Sequence, residues 1–213
     1  MNKFTKFDRD CMSKALALAQ RAKGFTFPNP TIGAVVVKDG KIISTGATSK
    51  AGGHHAEVNA IKNAAGATDG ATLYVTLEPC CHQGRTPPCT DMIIQSGITT
   101  VIASMSDPHD RVKGKGFEQL RRKGIVVKTG LLKEEAFRLN EDFFWAIVHK
   151  KSFVTLKMAL TLDGCIADHQ NNSRWISHSD ARKFVHKLRG QSASIAIGRE
   201  TFLQDDPELT TRL

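Results

Sequence analysis

The segment LEPCCHQGRTPPC, Leu77 to Cys89, places three cysteines, a histidine and an arginine within thirteen residues. Upstream, GGHHAEVNAI carries His55 and Glu57 with one residue between them. Thiolates and imidazoles are the ligand types that hold zinc tetrahedrally, and three protein ligands leave a fourth position open to water. Water in that position becomes a nucleophile near neutral pH. A carboxylate that is not itself a ligand must then carry protons between the water and the reacting molecule. In this reading His55, Cys80 and Cys89 hold the metal and Glu57 moves the protons.

The alternatives are weaker. Five cysteines, an odd number with two adjacent, do not make a disulfide framework in a chain of 213 residues. A surface histidine, a first-turn helix charge and two inert buried thiols would account for each residue singly but not for their order. H-x-E followed by P-C and a further cysteine is the pattern of zinc deaminases. Here eight residues separate Cys80 from Cys89 where the short form has two, so the pairing of H-A-E with E-P-C carries the inference. His55 is preferred to His54 for its H-x-E spacing, and Cys80 to Cys81 because it follows Pro79; His82 is a further neighbour. Cys11 and Cys165 are read as structural.

These residues need a scaffold, and the hydrophobic pattern supplies one. Asp8 to Ala22 has apolar residues at helical spacing, with Gly24 just beyond. TIGAVVVKDGKIISTG reads as two strands joined at Asp39-Gly40. A helix follows in HAEVNAIKNAAG, a strand in ATLYVTL, a short helix from Cys89 to Gln95 and a strand in TTVIASM. GFEQLRRKG and IVVKTG repeat helix, glycine, strand, and Lys133 to His149 is expected as one longer helix. Alternating strands and helices imply an α/β layered domain. Near Lys150-Lys151 the pattern restarts: a long strand in SFVTLKMALTLDG, a polar loop, a helix around Asp180 to Leu188 and a strand in SIAIG. A boundary is therefore expected near residues 148–152, dividing a domain at 1–148 from a second unit at 149–213.

Composition limits the rest. A hydrophobic fraction of 40% and a charged fraction of 24% are those of a soluble globular chain. No apolar run approaches the roughly 18 residues a membrane span needs, and the amino terminus carries no signal-peptide pattern. A cytoplasmic location without membrane association is the expectation. The net charge of +9 invites an anionic partner, such as a phosphorylated small molecule, or simply keeps the surface soluble.

NPTIGAVVVKDGKII, HAEVNAI, TLYVTLEPCCHQGRTPPC and VIASMSDP together resemble the deaminase half of the bifunctional riboflavin biosynthesis deaminase/reductase family. LKMALTLDGCIA, SRWIS, LRGQSASIAIG and DDPELTTR resemble the opening of that family's reductase half. The resemblance implies a three-layer α/β/α cytidine-deaminase-like domain with a mixed sheet, followed by an incomplete dihydrofolate-reductase-like α/β domain. It implies one zinc ion, and as substrate 2,5-diamino-6-ribosylamino-pyrimidinone 5′-phosphate, which loses its 2-amino group as ammonia. Asn29 would contact ring and ribose, and Arg85 the 5′-phosphate, a group that a guanidinium fork matches. In the second half Lys157, Ala159, Ser173, Trp175, Arg189, Thr201, Asp205, Leu209 and Arg212 match positions that contact NADPH or substrate. With no G-x-G-x-x-G, and with family members considerably longer, that half is expected neither to bind NADPH nor to turn over. Two regions depart from the family's usual pattern, Thr48 standing for a histidine and His109-Asp110 for Asn-Pro, and the resemblance sets both beside the substrate.

Two rivals remain. A deaminase acting on nucleosides or nucleic acid would use the charge and the basic run RVKGKGFEQLRRKG. However, aromatics make up only 7% of the chain and do not interleave with the basic residues, so nucleic acid is not the expected partner. The second rival is a zinc domain without catalysis, which Thr48 and His109 permit. Homo-oligomer formation is left open.

Overall fold

The computed structural model describes residues 4–84 and 86–212. The chain divides into two compact units, Met1–Phe153 and Val154–Leu213. Phe153 stays with the first because its ring meets the Trp145 ring edge-on at 6.2 Å.

The first unit is built on a five-stranded sheet in the order β2-β1-β3-β4-β5. β1 (Gly33–Lys38) and β2 (Lys41–Ala47) form the hairpin, with Lys38 opposite Lys41. Its turn residues Asp39 and Gly40 have φ of 50° and 70°, the left-handed pair a type I′ turn requires. β1 also pairs antiparallel with β3 (Thr72–Val75). β3, β4 (Thr100–Ala103) and β5 (Val126–Thr129) run parallel to one another. The sheet is mixed, as expected.

Alternate residues of β1 face opposite layers. Val35 and Val37 pack with Cys11, Met12 and Ala15 of α1 (Lys6–Ala22). Ala34 and Val36 pack with Ala56 and Ala60 of α2 (Ala56–Asn63), in a core that also takes in Ile93 of α3 (Cys89–Gln95) and Leu120 of α4 (Lys115–Arg122). Two glycines bring these helices close. A Cβ on Gly33 would lie 1.9 Å from the Ala15 carbonyl oxygen, and one on Gly46 would lie 2.3 Å from that of Ala56. α1 is closed at its start by a capping box between Thr5 and Asp8. The second Asp8 oxygen accepts from the Tyr74 hydroxyl at 2.6 Å, tying the helix to β3.

The single long helix expected at 133–149 is two: α5 (Lys133–Leu139) and α6 (Glu141–His149). Asn140 breaks it, with φ −118° and ψ 23°. Its side-chain amide accepts from the Thr31 N–H at 2.7 Å and donates to the Thr31 carbonyl at 2.9 Å. A buried two-way clamp onto distant backbone outweighs continuation of the helix.

The second unit contains α7 (Ser179–Gly190) and α8 (Arg199–Asp205) and no strand among its described residues. The strands expected in SFVTLKMALTLDG and SIAIG are therefore corrected. Both segments find no ladder partner, and a strand exists only through its neighbour. Neither helix buries a residue, and alternate apolar residues such as Leu156 and Leu162 are 79% and 108% exposed.

Candidate metal centre and cavity

His55 is the N-cap of α2, with extended backbone and a side chain that makes no cap hydrogen bond, so its ring is available elsewhere. α3 begins at Cys89 directly after Pro87-Pro88, where prolines cost no helical hydrogen bond. Cys80 lies in the loop between β3 and α3. Its sulfur accepts from the Cys89 N–H at 3.4 Å, which seats it against the first turn of α3. His55 Nδ1 stands 3.6 Å from Cys80 Sγ and 3.2 Å from Cys89 Sγ, and the three donor atoms all lie within 4.8 Å of one another. Zn–S bonds of about 2.3 Å and Zn–N bonds of about 2.0 Å imply tetrahedral edges of about 3.5–3.8 Å, so this donor set fits zinc with little adjustment. The neighbours turn away: His54 Nε2 contacts the Lys62 ammonium at 2.8 Å, and Cys81 Sγ faces the Arg111 carbonyl at 3.8 Å.

Charge is shared unevenly among these groups. The Cys89 thiol hydrogen bonds to Cys80 and pulls the Cys80 thiol down to about 4, helped by His55 and opposed by burial. Cys89 is pushed strongly upward, first by holding that bond as donor and then by burial and the Glu57 charge. The hydrogen bond to Cys80 raises His55, against its own burial. The pair thus rests as one thiolate and one thiol. Glu57, in the first turn of α2 and 4% exposed, is pushed up to about 7 by burial and then by the Cys80 charge. A carboxyl poised near neutrality can both take and give a proton.

A cavity of about 310 Å³ meets this cluster, with His55, Glu57 and Cys80 in its lining. Asn29 lines it from the segment between α1 and β1, and Phe143 from α6. Both family departures face it as well: Thr48, whose hydroxyl accepts from the Ile32 N–H at 3.1 Å, and His109 of the β4–α4 loop. Arg85 lies outside the described residues. The volume is in the range of small-ligand sites.

Several lining residues escaped the sequence reading. Asp107 and Arg111, which share the β4–α4 loop with His109, are two of them. The family resemblance sets His109-Asp110 of this loop beside the substrate, but nothing in the sequence marks Asp107 or Arg111, whose approach depends on the parallel β3–β4 crossover. Glu78 had a signal, its place in E-P-C, but its partners lie about thirty residues or more downstream.

In the second unit, Arg189 and Arg212 come together around His186. Arg189 Nη1 is 3.1 Å from His186 Nδ1, and the Arg212 N–H donates to the same nitrogen at 3.1 Å. Trp175 is 69% exposed beneath the Arg182 guanidinium, 4.3 Å above its ring. Lys157, Ala159 and Ser173 lie on irregular segments, Thr201 and Asp205 on α8, and Leu209 has a φ of 53°.

The cytidine and deoxycytidylate deaminase zinc-binding region matches residues 5–105, and the RibD C-terminal domain matches residues 152–213. Riboflavin biosynthesis protein RibD of Aquifex aeolicus is 51% identical over 97% of this chain, which spans 58% of that protein. Among solved structures, a diaminohydroxyphosphoribosylaminopyrimidine deaminase/5-amino-6-(5-phosphoribosylamino)uracil reductase of Thermotoga maritima superposes with a TM-score of 0.92 at 47% identity. That match covers 97% of this chain and 60% of the other. RibD of Acinetobacter baumannii superposes with a TM-score of 0.91 at 40% identity, over 98% of this chain and 58% of its own. With both regions matched in order and the cysteine–histidine cluster assembled in the first, the chain is similar along nearly its whole length to the RibD deaminase/reductase proteins, of which it spans a little over half the length.

Proposed function

We propose that the first unit is a zinc-dependent hydrolase that removes the 2-amino group of 2,5-diamino-6-ribosylamino-pyrimidinone 5′-phosphate. The observation that carries this reading is a buried carboxyl, Glu57, lining the same cavity as His55 and Cys80 of the cysteine–histidine cluster. His55, Cys80 and Cys89 would hold the zinc, which when bound supplies Lewis-acid activation of water at its open position. Glu57 accepts a proton from the attacking water and delivers it to the ring nitrogen beside the carbon under attack. It then carries the second proton to the amino group, which leaves as ammonia while the carbon keeps the oxygen as a carbonyl. Asn29 holds the ring and ribose at the cavity wall, and Arg85 the phosphate. The phosphate also gives the +9 chain an anion to attract.

The test is ammonia release from this nucleotide by zinc-loaded protein, native against Glu57→Gln. Release by the native chain and its near-total loss in the variant, with zinc retained, is the expected pair of results. Cytidine and RNA serve as comparison substrates, and preference for either would displace this reading.

For the second unit we infer no NADPH binding by this chain. Its described residues form no sheet to carry a dinucleotide. Nicotinamide fluorescence should be unchanged on mixing, and saturable enhancement would overturn the inference.

A further inference from the structure

We infer that Glu78 is a positioning residue, which locks the cavity wall formed by the β4–α4 loop to the segment bearing Cys80; this rests on the deaminase reading above. Glu78 stands two residues before Cys80 and is 4% exposed. One carboxylate oxygen accepts from the Ser106 hydroxyl, from the Asp107 N–H at 3.2 Å and from the Gly114 N–H at 2.9 Å. The other accepts from the N–H groups of Gly116 at 3.0 Å and Phe117 at 3.3 Å. Every donor belongs to residues 106–117, the stretch that carries Asp107, His109 and Arg111 to the cavity.

The loop is organised internally by the His109 N–H donating to Asp107 at 2.8 Å and the Arg111 N–H donating to the His109 ring at 3.1 Å. These bonds shape the loop but do not place it. Glu78 places it, at both ends at once: Ser106 and Asp107 where the loop leaves β4, and Gly114 to Phe117 where α4 begins. The carboxylate also satisfies N–H groups that a helix start leaves without partners. Close approach is built in at Gly116, where a Cβ would lie 2.2 Å from the Pro79 carbonyl oxygen. One side chain therefore fixes the separation between the metal ligands and the opposite wall, the distance a substrate must span.

Glu78→Gln keeps the shape but turns an NH₂ group toward N–H donors, so one end of the clamp opens. Zinc should remain at one per chain, because no ligand is touched. Misplacement of the wall should raise KM for the nucleotide about tenfold or more while kcat stays within about threefold, since binding contacts and not the proton carrier have moved. Amide exchange at Gly114, Gly116 and Phe117 should accelerate. Should that variant fail to fold, Ser106→Ala removes one donor of the five and should give the same pattern in weaker form. A KM unchanged within twofold, a loss confined to kcat, or loss of zinc would each overturn the inference. Native protein that holds zinc but releases no ammonia would instead sink the deaminase reading. Amide exchange then decides about Glu78, with unchanged protection in the variant refuting the clamp.

Discussion

Replacing Glu57 with glutamine should remove activity and, under one condition, make the protein more stable. The folded carboxyl of the metal-free protein holds its proton up to about 7, against an ordinary value of 4.5. Between those limits the folded state binds more protons than the unfolded state, so this group lowers stability as pH rises through the window. Below about 4.5 both states are protonated and the penalty vanishes; above about 7 it is complete. At about 1.4 kcal/mol per tenfold change in proton affinity the full penalty is about 3 kcal/mol, an upper bound because Cys80 shares the same charge balance. Glutamine has the shape of the protonated acid and never ionises, so metal-free Glu57→Gln should gain up to about 3 kcal/mol at pH 8 and almost nothing at pH 4.5. Urea denaturation of both metal-free proteins at the two pH values measures it. In the zinc-loaded enzyme the same change should lower kcat by about a thousandfold or more, because two proton transfers lose their carrier. Equal stability gains at both pH values would refute the burial of charge as the source of the shift. Retained turnover with a stability gain would refute Glu57 as the proton carrier.

Other outcomes follow from the same geometry. Cys89→Ser should abolish stoichiometric zinc binding measured by metal analysis, and native protein should release protons on taking up zinc because the Cys89 thiol must ionise, so affinity should rise with pH. Asn140→Ala should cost about 2–3 kcal/mol in a denaturation curve, since both backbone groups of Thr31 lose a buried partner. Gly33→Ala should destabilise by about 3 kcal/mol or more, because its Cβ would lie 1.9 Å from the Ala15 carbonyl oxygen and must push α1 off the sheet.

The metal cluster was legible because its logic is local chemistry. H-A-E and E-P-C name ligand types, and each sits where a helix begins or where chain leaves a strand. The hairpin was legible because Asp39-Gly40 is a turn that few other sequences make. The break at Asn140 was hidden, since the helical pattern runs through it and its cause, Thr31, lies more than a hundred residues away. The strands expected in the second unit were misjudged for a related reason. Alternating apolar residues announce a strand face, but only a hydrogen-bonded neighbour makes the strand, and sequence does not announce the neighbour.

What the amino-acid sequence determined alone is therefore the chemistry: which atoms can hold zinc, which carboxyl stands beside them, and which turns and helix starts present them. Tertiary structure decided the rest. It alone buried Glu57 and so moved its proton affinity toward neutrality, brought Cys80 and Cys89 against His55 across a strand and two helix starts, and swung Asp107 and His109 onto the cavity under the hold of Glu78. Ligand identity is carried in side-chain type, whereas desolvation and distance are properties of the space between elements, which exists only once the chain has folded.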